Sequence, residues 1–144
     1  IASKSLTSRW KSARKRPIPE FDAKSFDTPA PVAYVTLPHP ATGASLSDVP
    51  MLMDTGADVT LLPRDVAEQL GIEPVAGRVY ELQGFDGETK LAEVVRLELA
   101  FLGRKFTGQF LLIDQPFGIM GRNILNAVAL LLDGPHGIWE EQKR

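Results

Sequence analysis

An apolar run that ends on a carboxylate constrains this chain more than any other feature. Met51-Leu52-Met53 reads as a buried strand, and it delivers Asp54 straight into the tight turn Thr55-Gly56-Ala57-Asp58. An acid at the end of a buried strand is costly unless something pairs it or uses it. Glycine beside it lets the backbone turn sharply and lets another chain approach, while the threonine hydroxyl can hydrogen-bond across a neighbouring loop. That arrangement suits a reactive carboxylate. A second signal lies downstream, where Gly118-Ile119-Met120-Gly121-Arg122-Asn123 takes an apolar pair and a glycine from a strand into a helix.

Around these two segments the pattern is of many short strands. Val32 to Leu37 roughly alternates apolar and polar residues, Pro38 to Asp48 is turn-rich, and Val49 to Met53 returns as the second arm of a hairpin. Pro63 opens a short helical pattern through Val66, Ala67 and Leu70, with Gly71 where a C-terminal cap belongs. Val79 to Leu82 and Leu91 to Phe101 flank the turn Gly84-Phe85-Asp86-Gly87. A second hairpin turns at Gly103-Arg104-Lys105 and returns through Phe110 to Ile113, whose weak alternation predicts burial on both faces. Asn123 to Val128 reads as one or two helical turns before the apolar strand Ala129 to Leu132, closed by Asp133-Gly134-Pro135. The chain therefore reads as mostly β with two minor helices. Its expected division is a basic, proline-containing tail and linker over residues 1–28, one domain over 29–134, and a C-terminal tail over 135–144.

Composition narrows the chemistry. With 144 residues, 44% of them hydrophobic and 24% charged, the chain is sized for one soluble globular domain. The absence of cysteine excludes disulfides, iron-sulfur ligation, thiolate zinc sites and a cysteine nucleophile. The two histidines, His39 and His136, sit in loops beside proline or glycine and receive no role. Of the 16 Lys and Arg, six fall in residues 1–16 with no acid among them, leaving ten against 18 Asp and Glu and a net charge of −8 beyond Arg16. The basic arm reads as a solvated tail, with weak anion contact as its alternative use. No run approaches the roughly 18 apolar residues of a membrane span. A first residue of Ile1 rather than Met reads as a fragment or processed product, so a targeting segment is not legible and the cytoplasm is only a default compartment.

At its two densest segments the sequence resembles the retropepsin-like aspartic proteases, the family of retroviral proteases and their cellular and bacterial relatives. Asp54-Thr55-Gly56-Ala57-Asp58 is similar to the active-site loop, Gly84 to Gly87 to the flap, and Ile119-Met120-Gly121-Arg122-Asn123 to the hydrophobic-hydrophobic-glycine segment and helix start, in matching order and spacing over about residues 30–133. The resemblance implies a closed β-barrel or sandwich with a flap hairpin and one or two short helices, active as a homodimer without metal or cofactor. It implies Asp54, Thr55 and Gly56 as the catalytic triplet. Ala57, Asp58, Gly84, Phe85, Asp86 and Gly87 are its substrate-binding and flap residues, and Arg122 and Asn123 its structural support. Asp58 and Arg122 are expected to pair beside the cleft. Three departures stand out from the compact viral pattern: the helix over residues 63–71, Asp86 in the flap, and longer ends.

Peptide hydrolysis by carboxylates needs one ionised group to take a proton from water and one protonated group to polarise the carbonyl, and two close carboxylates sharing a proton supply both. This chain has one such motif. Asp133 precedes Gly134 with no intervening Thr or Ser and reads as a turn residue. The second carboxylate must then come from another copy across a two-fold axis. The expected function is an aspartic endopeptidase that takes an extended peptide or protein substrate and can act on its own precursor. The alternative is a catalytically idle dimerisation module.

Overall fold

A computed structural model of the chain describes residues 19–84 and 86–143. The basic arm and Phe85 lie outside the described residues. In chain order the elements are β1 (Phe21–Asp22), β2 (Ala30–Pro38), β3 (Ser45–Met53), β4 (Leu61–Pro63), α1 (Arg64–Leu70), β5 (Val79–Gln83) and β6 (Thr89–Phe101). They are followed by β7 (Arg104–Ile113), β8 (Gly118–Met120), α2 (Arg122–Leu125), β9 (Leu130–Asp133) and β10 (Ile138–Glu141).

Eight strands form one sheet in the order β1-β2-β3-β8-β4-β7-β6-β5. A further pairing of Thr36 with Ala100 joins β2 to β6 and closes the six strands from β2 to β6 into a barrel. Besides this contact with β2, strand β6 divides its length between two neighbours: residues 89–93 pair with β5 and residues 94–101 pair with β7. Its first half therefore projects from the barrel as a hairpin with β5, while Val95, Leu97, Leu99 and Phe101 alternate into the core. They meet Leu37, Met51, Leu62, Met120, Ile124 and Trp139 there. Each such side chain contributes roughly 1.5–3 kcal/mol by leaving water. A smaller cluster of Ala92, Val94 and Leu111, with Val59, Leu61, Val75 and Leu82 packed on it, sits at the base of the hairpin.

The threading of β8 positions the Asp54 loop. Strands β3 and β4 are consecutive, yet β8 lies between them, parallel to β3 through Met51↔Gly118, Leu52↔Ile119 and Met53↔Met120, and antiparallel to β4 at Leu61↔Ile119. The connection from β3 to β4 must therefore span two strand spacings, about 9–10 Å, instead of closing a tight hairpin. Only a strand bare of side chains at its close contacts fits there. A Cβ on Gly118 would stand 2.7 Å from the Leu61 carbonyl oxygen, and one on Gly121 would lie inside the Val59 carbonyl group.

Helix α1 follows the sequence closely. Pro63 precedes it in extended conformation, and Gly71 ends it at φ 72° while Gly71 and Ile72 donate to the carbonyls of Glu68 and Ala67, a Schellman closure. Three details differ from the sequence reading. The β6–β7 turn is the two-residue Leu102-Gly103, both at positive φ, because Arg104 and Lys105 join the ladder opposite Phe101 and Ala100. Residues 135–144, expected as a tail, contain β10, which pairs with β9 and puts Trp139 into the core with its indole N–H donating to the Val32 carbonyl at 3.1 Å. Within the expected tail and linker of residues 1–28, Phe21 pairs with Pro31, and Pro19 accepts the Trp139 amide, so the segment from Pro19 is part of the fold. Among the described residues no helix is long and apolar enough to cross a membrane.

Candidate active site

Asp54 stands immediately after β3, half-buried, where the main chain leaves the barrel. Its amide donates to the Met120 carbonyl at 3.1 Å, which ties the loop to the end of β8. Its carbonyl accepts the Ala57 amide at 3.1 Å, and its Oδ1 accepts the Gly56 amide at 2.9 Å, so the Asp-Thr-Gly turn folds around the carboxylate. A side chain at Gly56 would crowd that oxygen, since a Cβ there would stand 3.1 Å from it. Among the described residues no hydrogen bond reaches Asp54 Oδ2. The carboxylate thus has one oxygen fixed and one available.

The rest of the loop is held by the segment after β8. Arg122 donates its amide to the Ala57 carbonyl at 2.8 Å and a guanidinium N–H to the Thr55 carbonyl at 2.7 Å. Thr60 is buried to 1% exposure, donates its hydroxyl to Asn123 Oδ1 at 2.7 Å and accepts the Gly121 amide at 3.0 Å. The expected Asp58–Arg122 ion pair is absent among the described residues: Arg122 engages the Thr55 carbonyl instead, and Asp58 is exposed. Ala57 is half-buried, while Thr55 and Gly56 are exposed.

Among the described residues, the hydrogen bonds of the hairpin tip are made within the tip itself. Gly84 donates to the Glu88 carbonyl at 3.0 Å, Gly87 at φ 82° donates to the Gly84 carbonyl at 3.1 Å, and Asp86 Oδ1 accepts the Glu88 amide at 2.9 Å. Asp86 is therefore turned onto its own backbone. At the hairpin base Arg78 donates to the Tyr80 hydroxyl and to Gln109 of β7, at 2.8 and 3.2 Å. Val79, Tyr80 and Leu91 leave an apolar surface on the hairpin exposed.

Two loop residues outside the site play structural parts. His39 Nδ1 accepts the amides of Ala41 and Thr42, and Asp133 binds the backbone and ring of His136 in the β9–β10 turn. Thr60 is the site residue that the sequence reading missed. Its signal was a lone hydroxyl inside the apolar run Val59 to Leu62.

The family model described as aspartyl protease matches residues 41–125, more than half of the chain, and the chain belongs to the retropepsin-like aspartic protease family of hydrolases. Among solved structures, the EIAV protease complexed with the inhibitor HBY-793 matches with a TM-score of 0.51 and 25% sequence identity, over 68% of this chain and 86% of that one. A search of curated proteins gives no match.

Proposed function

We propose that this chain is an aspartic endopeptidase whose catalytic centre forms between two copies, each supplying Asp54. The observation that carries the reading is a single Asp54, with one oxygen bonded to Gly56 and the other unclaimed, in a loop fastened to β8 and α2. The family and the likeness to the EIAV protease support it. The ionised Asp54 takes a proton from water as the water oxygen attacks the peptide carbonyl carbon, and the protonated Asp54 of the other copy gives its proton to the carbonyl oxygen. The first Asp54, now protonated, gives that proton to the leaving nitrogen as the C–N bond of the tetrahedral intermediate breaks, while the second takes one back from a hydroxyl of the intermediate, so the pair again holds one proton. No covalent intermediate forms.

Each remaining site residue has a task in this scheme. Gly56 leaves room beside the carboxylate for substrate, and the exposed Thr55 is free to bond across the two-fold axis, its carbonyl held by Arg122. Ala57, Asp58 and the hairpin tip from Gly84 to Gly87, including Phe85 and Asp86, line the path of an extended peptide bound by main-chain hydrogen bonds. Arg122 and Asn123 brace the loop.

The two copies meet, in this proposal, through β9. One edge of the terminal hairpin is already taken, because the main chain at Pro19 and Phe21 bonds to that of Trp139 and Gly137, whereas among the described residues β9 pairs with β10 alone. Leu131 and Leu132 are 42% and 53% exposed, and adjacent strand residues point to opposite faces, so β9 offers apolar surface on both. Self-processing, if the chain acts on its own precursor, falls in residues 1–18, ahead of the segment fastened to β10. The folded unit by this reading extends past residue 134 to take in β10.

The test is digestion of a diverse peptide mixture at mildly acid pH, comparing the wild type with Asp54→Asn. Cleavage by the wild type alone, with a bell-shaped pH profile because the pair must hold one proton, supports the reading. A folded dimer with no Asp54-dependent cleavage would instead mark an idle dimerisation module.

A further inference from the structure

We infer that Thr60 is a positioning residue for the Asp54 carboxylate, acting through the backbone of residues 120–123 without touching substrate. The inference rests on the proposed role of Asp54. Four consecutive residues bind the 54–60 loop: Met120 through its carbonyl to the Asp54 amide, Gly121 through its amide to the Thr60 hydroxyl, Arg122 through its amide and guanidinium to the Ala57 and Thr55 carbonyls, and Asn123 through Oδ1 to the Thr60 hydroxyl. On the loop's side every one of these contacts uses a backbone atom except at Thr60. Thr60 is thus where side-chain identity decides whether the two segments stay in register.

The Thr60 hydroxyl fills both of its roles at once, accepting from one neighbour and donating to the other. The Gly121 amide has no room to find a new partner, because Gly121 is buried and its α-carbon is pressed against the Val59 carbonyl. A buried donor left without an acceptor must move or take in water. The residue that moves with it is Met120, whose carbonyl holds the Asp54 amide. Asn123 is exposed and can turn to solvent, so the loss acts through Gly121. Displacement of a reacting group by about 1 Å costs on the order of a hundredfold in rate.

Thr60→Val keeps the volume and branching of the side chain and removes only the hydroxyl, while Thr60→Ser keeps the hydroxyl. The expected result is a folded dimer for both, a fall in kcat of about a hundredfold with KM nearly unchanged and a displaced pH profile for Thr60→Val, and recovery to within a few-fold for Thr60→Ser. Amide hydrogen exchange supplies a readout independent of turnover: Thr60→Val should speed exchange at Gly121 and Asp54 while leaving the β6–β7 ladder protected. Unchanged kcat and pH profile in Thr60→Val, or unchanged exchange at Gly121 and Asp54, would overturn the inference. A wild type without Asp54-dependent cleavage would refute the catalytic reading itself, and the inference with it, whatever the exchange data show.

Discussion

The loop carrying Asp54 and the hairpin tip at residues 84–88 are both glycine-bearing turns, yet they are held in opposite ways. The first is bonded to a distant part of the chain at Met120, Gly121, Arg122 and Asn123, and Gly121 is packed so closely that a methyl group would collide with Val59. The second closes on itself through Gly84, Gly87 and Asp86, on an edge strand that, among the described residues, pairs only with β6. A reacting group needs a fixed geometry, and a cover over substrate needs to open. In the proposed enzyme, long-range bonds would hold the Asp54 loop in place and local bonds would leave the hairpin free to open.

Gly121→Ala breaks the contrast hardest. Its methyl group enters backbone that cannot yield cheaply, so the loop must separate from α2, and overpacking of this kind costs about 1–3 kcal/mol or more. Chemical denaturation should show that loss together with loss of activity. Native stability with normal turnover would mean that the close approach does not set the site.

Arg122→Ala is expected to be milder, because Arg122 is exposed and holds the Thr55 carbonyl instead of neutralising a buried Asp58. Stability should fall by about 1 kcal/mol, with a larger proportional loss of kcat. A collapse of stability with the dimer would point to an Asp58 pair formed only on assembly.

Gly87→Pro sharpens the contrast from the other side. Proline cannot adopt φ 82° and has no amide to give Gly84. The hairpin tip is exposed and contributes little to the core, so the change in stability should stay within about 1 kcal/mol while turnover falls. Equal losses of stability and turnover would make the hairpin part of the rigid scaffold.

The smallest effect belongs to Asp22, remote from both turns. Amide donation from Ser25, with a smaller part from Lys24, lowers its carboxyl below the usual value. A depressed folded pKa gives stability that is present above the unfolded value of about 3.9 and is lost as pH falls through the folded one. Asp22→Asn should flatten that slight acid-side slope in a denaturation series. An unaltered slope would assign the acid sensitivity to other groups.

Local chemistry made most of this legible in the sequence. The strand running into Asp54, the capped helix at Pro63 to Gly71 and the glycine-bearing hairpin each depend on neighbours within a few residues. Long-range relations were harder to see. Nothing near Leu52 or Leu61 announces that Ile119 lies between them, and Thr60 has meaning only through Gly121 and Asn123. Trp139 was obscured by its polar neighbours His136, Glu140 and Glu141, since one aromatic ring can anchor a strand without giving the segment an apolar pattern. The Asp58–Arg122 expectation failed because a guanidinium can satisfy a backbone carbonyl as well as a carboxylate, and charge alone does not decide between them.

The central claim is that two copies each contribute one Asp54, and mixing tests it most directly. Wild type and Asp54→Asn protein are combined in equal amounts at constant total concentration, allowed to exchange subunits, and assayed against a peptide the wild type cleaves. If each active centre needs Asp54 from both copies, only wild-type pairs work and activity falls to about one quarter of that of undiluted wild type. Activity of about one half, the share of wild-type chains present, would show that a single chain carries a complete centre and would contradict the account.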